Sequence, residues 1–319
     1  MIRTVTGDVT AVPDGAVYPH EHLFLDSPLI KYNFPGILLN DLDAAVSEVG
    51  ECRAAGVSLM VDAMTMSAGR DVARLAEVSR RTGMLIIAAT GLHHDRYYGS
   101  RHWTNRIASD VLVDLFIADL VEGIDDFDYT GPVIQRSDSR AGVVKVATSS
   151  DQLTKRDERN LRSAAAAAVA TGAPLLTHCE GGWGGILQVT TLTQFGVPAS
   201  SIILSHVDKT GDRGYLRDLA QTGALLEFDR GIRQELAGEH HSSFDSVMAL
   251  ITDGFEDNVC VSNDGALREF WHFYGGSPGL AWLANATPGI LRSSGATELA
   301  IAKVTRENAL RALTWRDLS

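Results

Sequence analysis

The chain has 319 residues, of which 45% are hydrophobic and 21% charged, and its formal net charge is −12 at pH 7. This composition is typical of a soluble globular protein, and the negative charge argues against nucleic acid or an anionic membrane surface as a partner. No apolar run approaches the roughly 18 consecutive residues that a membrane span requires.

Apolar or β-branched runs alternate with segments of helical period, which is typical of parallel strands joined by crossover helices. Eight such units predict a closed (β/α)₈ TIM barrel of the α/β class rather than an open sheet. The predicted strands lie near residues 16–22, 57–62, 84–90, 142–148, 174–178, 202–206, 224–229 and 258–264. We expect one domain over residues 1–319, with a short hairpin at residues 1–15 that turns at Gly7-Asp8.

Three of the intervening helices are delimited by their own sequence, because each apolar stripe is followed by a glycine. They are predicted over residues 41–55, 71–81 and 157–171. The last is rich in alanine, and Gly172 is expected to cap it. Two connections, residues 92–105 and 265–290, are longer than the others, and long loops after barrel strands commonly recognise the substrate.

Residues able to bind metal ions stand at or near the carboxyl ends of five predicted strands. They are His20, His22, Lys145, His178, His206 and Asp264. Side chains alternate along a strand, so His20 and His22 share one face. A lone histidine is more often a hydrogen-bonded core residue, but active sites of TIM barrels lie at this rim, which favours a metal site. We expect two divalent ions, with zinc first and manganese, cobalt or iron also compatible.

Lys145 is the most informative of the six residues, because Val143-Val-Lys-Val-Ala147 places it inside a buried strand. An unpaired ammonium is strongly disfavoured there, and burial lowers the pKa of lysine from about 10.4. The neutral amine can add CO₂ and become N6-carboxylysine, an anionic ligand that bridges two cations. The alternative is a lysine paired with Asp264 in a metal-free barrel.

The motifs at these strand ends resemble the phosphotriesterase-like group of the amidohydrolase superfamily, which includes phosphotriesterase-related proteins and lactonases. The matching segments are His20-Glu-His-Leu23, Val61-Asp62, Gly69-Arg-Asp71, Ala88-Ala-Thr-Gly91, Ala141-Gly-Val-Val-Lys-Val-Ala-Thr148, Thr177-His178, Ser205-His206, Ser262-Asn-Asp264 and Val304-Thr-Arg-Glu-Asn308. The resemblance implies a binuclear centre bridged by a hydroxide and by carboxylated Lys145. It assigns His20, His22 and Asp264 to the more buried ion and His178 and His206 to the more exposed one. It also implies a homodimer.

This ligand set predicts a metal-dependent hydrolase that acts on ester bonds of a small molecule. The bridging hydroxide would attack a polarised carbonyl or phosphoryl group, and Asp264 would accept the proton, so Asp264 and Lys145 are the predicted catalytic residues. A lactone is the first expectation and a phosphotriester the alternative. A non-catalytic protein that binds a small ligand on the same scaffold is the third interpretation. A cyclic amidase has similar ligands, but the strand motifs fit the phosphotriesterase branch better.

Further residues in the predicted loops are candidate substrate contacts. They are His93, Arg96, Asp229, Arg268, Trp271 and His272. Lactonases of this group often have tyrosine after the third strand and phosphotriesterases can have tryptophan, so His93 leaves the choice between these substrates open. If the segment after Asp264 starts as a helix, Arg268, Trp271 and His272 share one face; otherwise the aromatic residues only pack the loop. Asp229 is expected to contact substrate or a ligand histidine.

The cysteines and the amino-terminal residues predict the cellular compartment of the protein and its redox state. Cys52, Cys179 and Cys260 cannot all pair and show no zinc-finger spacing. The first residues lack the apolar segment of a secretory signal. We therefore expect a reduced, cytoplasmic setting. Alternation along the strand turns Cys179 away from its neighbour His178 and from the metal site.

Overall fold

The computed structural model describes residues 1–149 and 151–318. Within these ranges the strands are β1 Ile2–Thr4, β2 Gly7–Val9, β3 Ala16–Glu21, β4 Val57–Asp62, β5 Leu85–Leu92, β6 Ala141–Thr148, β7 Leu175–Cys179, β8 Ile202–Ser205, β9 Leu225–Phe228 and β10 Val259–Val261. The helices are α1 Pro28–Asn33, α2 Leu42–Ala54, α3 Val72–Thr82, α4 Ser109–Val121, α5 Lys155–Thr171, α6 Gly185–Gln194, α7 Arg213–Gln221, α8 Gly231–Ala237, α9 Ser242–Thr252, α10 Trp282–Ser293, α11 Glu298–Ala302 and α12 Asn308–Leu313. None of the helices in these ranges combines the length and apolarity needed to cross a bilayer.

Strands β3 to β10 form one parallel sheet in chain order, and the side chain of Ser262 joins its first and last strands. The Ser262 hydroxyl donates to the carbonyl of His20 at 2.7 Å and accepts from the backbone N–H of His20 at 3.0 Å. The backbone N–H of Asp264 donates to the same carbonyl at 3.1 Å. The predicted (β/α)₈ barrel is confirmed, and the bonds that close it lie beside two candidate metal ligands.

The barrel interior is filled by the apolar side chains that alternate along the strands. They include Val17, Leu59, Val61, Ile87, Ala89, Val143, Leu176, Ile203, Leu225 and Cys260, all of them buried. Ile2 from the hairpin and Leu313 from α12 belong to the same cluster. The hairpin also donates from Val5 N–H to the Ile86 carbonyl at 2.9 Å, near the start of β5. Hairpin and carboxyl-terminal helix thus cover the amino-terminal end of the barrel and leave the opposite rim for a site.

The three predicted helices are confirmed with shifted ends. Asp41 and Asp71 precede α2 and α3 as capping residues, because each carboxylate accepts backbone N–H groups of the first turn. Helix α5 begins two residues earlier than predicted, because Thr154 and Asp157 form a reciprocal capping box. Gly172 ends α5 in the left-handed conformation, as expected.

The predicted hairpin is present, but its predicted turn is wrong. Gly7 and Asp8 are strand residues that pair in register with Thr4 and Arg3, so the chain reverses before Gly7. The Arg3 guanidinium binds the Asp8 carboxylate at 2.8 Å, which holds Asp8 in the strand. The glycine-aspartate pair is typical of a turn, but in the structure both residues lie in β2, where Asp8 forms the ion pair with Arg3.

Candidate metal centre

Four of the six predicted metal-site residues meet at the base of the carboxyl-terminal rim. Lys145 Nζ lies 2.9 Å from His20 Nε2. Asp264 Oδ1 lies 3.3 Å from His22 Nε2 and 3.7 Å from His20 Nε2. The two histidines extend from the same face at the end of β3, as strand alternation requires. The potential ligand atoms of His20, His22 and Asp264 all lie within 4.8 Å of one another.

The remaining two histidines lie beside this group. The ring centroids of His178 and His206 are 4.3 Å apart, and that of His206 is 4.8 Å from His20. The backbone of His206 has φ +66° and that of Asp264 has φ +47°. Such left-handed conformations are uncommon outside glycine and cost on the order of 1–3 kcal/mol, so the surrounding structure must impose them. The structure therefore gathers all six residues at one place.

Three of the four histidines have, on one ring nitrogen, a carboxylate that is not itself a predicted metal ligand. The pairs are His20 Nδ1 with Glu227 Oε2 at 3.1 Å, His206 Nδ1 with Asp229 Oδ2 at 2.5 Å, and His178 Nε2 with Glu180 Oε2 at 2.9 Å. Such a carboxylate fixes the tautomer and leaves the other ring nitrogen available to a metal. Asp229 also accepts the backbone N–H of His206 at 3.1 Å, so it is engaged with a predicted ligand.

These residues fit a pair of divalent cations. Within the described ranges, the buried Nδ1 atoms of His22 and His178 have no hydrogen-bond partner. Leaving a buried polar atom without a partner costs about 1–3 kcal/mol. Imidazole nitrogens next to carboxylates are the ligands that zinc and related ions prefer. A metal centre would therefore use atoms that are otherwise unsatisfied.

Burial dominates the electrostatics of the centre. It lowers the pKa of Lys145 to about 8, because the loss of solvation outweighs the attraction of Asp264. Burial also lowers the pKa of His20 and His206 well below the ordinary value, so these rings stay neutral and able to bind a metal. For Asp264, burial acts to raise the pKa, but the Arg233 guanidinium and a hydrogen bond from His22 hold it well below the ordinary value.

A cavity of about 190 Å³ opens above the centre. Its wall carries three cationic side chains, Arg96, Lys209 and Arg233, together with His93. The structure thus brings two of the predicted substrate contacts, His93 and Arg96, to the pocket. Arg233 donates to Asp264 Oδ2 at 2.8 Å and holds the predicted proton acceptor in place.

The hydrogen bonds of His93 define which ring nitrogen carries its proton. The backbone N–H of His94 donates to His93 Nδ1 at 2.7 Å, so Nδ1 is an acceptor. Burial lowers the pKa of His93 well below its ordinary value, so the ring is neutral. The proton therefore lies on Nε2, and His93 offers a hydrogen-bond donor in the pocket wall.

Three other predicted substrate contacts do not line the pocket. The segment after Asp264 forms two short 3₁₀ turns, Arg268–Phe270 and His272–Tyr274, instead of one helix with a shared face. Arg268 donates to the Leu38 carbonyl at 2.9 Å, Trp271 donates to the Gly265 carbonyl at 2.8 Å, and His272 Nδ1 lies 2.8 Å from Glu51 Oε2 on α2. Arg268 and His272 thus hold the loop to neighbouring segments and Trp271 closes the loop on itself, so we do not assign these side chains to the substrate.

Sequence reasoning overlooked several residues that build the site. Glu21 points away from its neighbouring histidines and accepts from the backbone N–H groups of Asn263 at 3.0 Å and Gly265 at 3.2 Å, which binds β3 to the segment carrying Asp264. Burial raises the pKa of Glu21 to about 8. Glu180, Lys209 and Arg233 were also missed. Glu21 could have been recognised from the sequence, because a carboxylate within an apolar strand needs a partner, as Lys145 does. The other three residues come after strand ends, in segments where no sequence pattern marks them.

Comparisons with known proteins agree with this geometry. A model of the phosphotriesterase family matches residues 1–313. The chain is 32% identical over 232 residues to a phospho-furanose lactonase of Mycoplasmopsis agalactiae, covering 72% of this chain and 66% of the relative, just under two thirds of that relative's length. It is 26% identical over 324 residues to a phospho-furanose lactonase of Mycoplasmopsis synoviae, covering 98% and 91%. The crystal structure of a lactonase from Listeria monocytogenes is similar with a TM-score of 0.88, at 25% identity and 99% coverage of each chain. The chain therefore belongs to the phosphotriesterase family, a family of binuclear metal hydrolases that act on esters.

Proposed function

We propose that this chain is a binuclear-metal-dependent lactonase whose substrate carries an anionic group such as a phosphate. The observation that carries the proposal is the pocket itself, in which the candidate metal centre faces the cationic side chains of Arg96, Lys209 and Arg233. Two relatives are named phospho-furanose lactonases, which supports the same substrate class. The alternative activity, phosphotriester hydrolysis, offers no anionic group for these cations to bind.

The three cationic side chains differ in how far each is already paired with oxygen atoms of the protein, and so in how available each is to an anionic ligand. Arg233 is engaged by Asp264 and by the Asn263 carbonyl, at 2.8 and 3.0 Å. Arg96 lies 3.3 Å from a carboxylate oxygen of Glu180. Lys209 lines the pocket, and no carboxylate within the described residues forms an ion pair with it. Lys209 is therefore the first candidate to bind the anionic group, with Arg96 second.

The reacting ester would be bound and oriented by residues already in place. Bound divalent ions would supply Lewis-acid activation of water and of the ester carbonyl. His93 would donate its Nε2 proton to the ring or carbonyl oxygen of the lactone. Asp264, held by Arg233, would accept the proton of the attacking water and pass it outward. Lys145, as N6-carboxylysine, would hold the two ions together, with zinc the first metal to test.

The size of the cavity supports a compact substrate. Its volume of about 190 Å³ lies below the ~300–1,000 Å³ of pockets that hold drug-sized ligands. A five-membered sugar lactone with one phosphate suits such a space better than a lactone with a long acyl chain. The buried, unpaired cysteines agree with the proposed reducing cytoplasm, where a phosphorylated metabolite would be met.

The experiment that tests this function compares furanose lactones with and without a phosphate on the metal-loaded protein. We expect kcat/KM to be at least about ten-fold higher for the phosphorylated lactone, which corresponds to about 1.4 kcal/mol. A phosphotriester with a chromogenic leaving group should react more slowly than either. Equal turnover of the two lactones would contradict the anionic substrate. Two bound ions with no turnover of any ester would favour a non-catalytic binding protein.

A further inference from the structure

We propose that Glu180 is a positioning residue that holds His178 for the more exposed metal ion and thereby controls the affinity of that ion alone. The proposal rests on the proposed binuclear centre, but it does not depend on the identity of the substrate. Within the described residues, Glu180 contacts His178 and no predicted ligand of the buried ion.

Glu180 follows β7 directly and reaches back to the last histidine of that strand. Its Oε2 atom lies 2.9 Å from His178 Nε2, so the ring is held at this nitrogen. The opposite nitrogen, His178 Nδ1, is buried and has no hydrogen-bond partner within the described residues. The Glu180 contact therefore leaves Nδ1 as the nitrogen of His178 that is available to a metal ion.

Glu180 is itself held by the loop that follows β5. The same oxygen lies 3.0 Å from His94 Nε2 and 3.3 Å from Arg96 Nη2. The His94 ring also packs edge-on against the His178 ring, with centroids 4.8 Å apart. Three nitrogen atoms, those of His178, His94 and Arg96, lie within 3.3 Å of one carboxylate oxygen, which restricts a side chain that is 39% exposed. This restraint distinguishes Glu180 from an ordinary surface carboxylate.

The carboxylates behind the other histidines are arranged differently. Glu227 and Asp229 are fully buried, and both extend from the end of β9, so barrel packing holds them. Glu180 depends instead on two residues of an irregular loop. Since its only contact with a predicted ligand in the described residues is with His178, a change at Glu180 should reach the exposed ion and spare the buried one. Removing such a carboxylate typically weakens metal binding by about 10–100-fold.

The test is a zinc titration of metal-free Glu180→Ala and Glu180→Gln proteins by calorimetry against a competing chelator. The wild type should bind two ions in two resolved steps. We expect the first step to be unchanged in both variants and the second to be weakened by about 10–100-fold in the alanine variant. The glutamine variant, which keeps one accepting oxygen, should show a smaller loss. His94→Ala should weaken the same step less than Glu180→Ala does.

Asp245→Ala is the matched control, because it removes a carboxylate 2.6 Å from His240 outside the pocket and should leave both steps unchanged. Equal weakening of both steps, or no change in either, would overturn the proposal. A third ion that binds the wild type but neither Glu180→Ala nor His94→Ala would also overturn it. In that case His94, His178 and Glu180 would bind a metal ion themselves. Circular dichroism on each variant excludes unfolding as the cause of a change. A wild type that binds two ions but hydrolyses no lactone would overturn the proposed function and leave this assignment intact.

Discussion

Glu227 Oε2 lies 3.1 Å from His20 Nδ1 at the floor of the candidate metal centre, and both side chains are fully buried. His20 Nε2 faces Lys145 Nζ at 2.9 Å on the other side of the ring. A carboxylate in this position keeps the ring proton on Nδ1 and leaves the lone pair of Nε2 for a metal. We therefore expect Glu227 to support the ligand of the buried ion as we propose Glu180 does for the exposed one.

Glu227→Gln should weaken the tighter of the two metal-binding steps by about 10–100-fold, because the amide holds the His20 tautomer less firmly than a carboxylate does. The measurement is the same zinc titration of the metal-free protein. Glu48→Gln is the matched control, since Glu48 is equally buried but accepts the backbone N–H of Leu280 outside the centre. An unchanged first step in Glu227→Gln would remove this role from Glu227.

Lys145→Met should reduce the bound metal from two ions per chain to at most one, because methionine cannot form the bridging carbamate. In the wild type, reconstitution with zinc should require bicarbonate. It should also accelerate as the pH rises through about 8, because burial lowers the pKa of Lys145 to that value and only the neutral amine adds CO₂. Elemental analysis and native mass spectrometry measure both effects. Two ions retained in Lys145→Met would contradict the carbamate bridge.

Asp264→Asn should reduce kcat by about 10²-fold or more, because the amide cannot accept the proton of the attacking water, while some metal remains bound. The measurement is kcat on the best lactone together with metal content. Asp253→Asn is a suitable control, since it alters an Asp–Arg pair of 2.6 Å, with Arg217, away from the centre. Near-wild-type turnover of Asp264→Asn at full metal occupancy would exclude Asp264 as the proton acceptor.

Lys209→Met should raise KM for a phosphorylated lactone by about 10–100-fold, the size expected for losing a hydrogen bond to a charged group of about 1.5–3 kcal/mol. The same variant should hydrolyse the unphosphorylated lactone as well as the wild type does. Lys303→Met removes an ammonium that pairs with Asp257 away from the pocket and serves as the control. A loss of the same size for both lactones would show that Lys209 acts on the centre and not on the anion.

Gly91→Ala should destabilise the protein by more than about 2 kcal/mol. Gly91 has φ +102°, and a Cβ there would collide with the carbonyl oxygen of Lys145, so β5 and β6 would have to separate beside the centre. Gly83→Ala is the matched control, because Gly83 also has a positive φ but a Cβ added to it would meet nothing within 4 Å, and it should cost only about 1 kcal/mol. Chemical denaturation of the two variants measures the difference, and equal losses would contradict the role of the close approach.

The strands were predicted closely where the local pattern was regular and poorly where the backbone turned. Strand β4 has the predicted bounds, because an uninterrupted apolar run is paired on both edges. The last strand was predicted to reach residue 264 but ends at Val261, and Asp264, three residues further on, adopts φ +47°, outside the strand conformation. The sequence identifies Asp264 as a possible metal ligand. The turn that directs its carboxylate could not be predicted from the local sequence pattern.

By itself, the sequence determined the barrel and the six residues that meet at its rim, because both follow from local periodicity. Strands repeat with helices between them, side chains alternate along each strand, and parallel strands all end at one rim. Only the tertiary structure decided that Glu180, Glu227 and Asp229 each support a different histidine. It also decided that Arg268, Trp271 and His272 fasten a loop and leave the pocket to Lys209 and Arg96. These side-chain contacts form in irregular loops and between strands that are distant in sequence, so no local periodicity predicts which residues become partners.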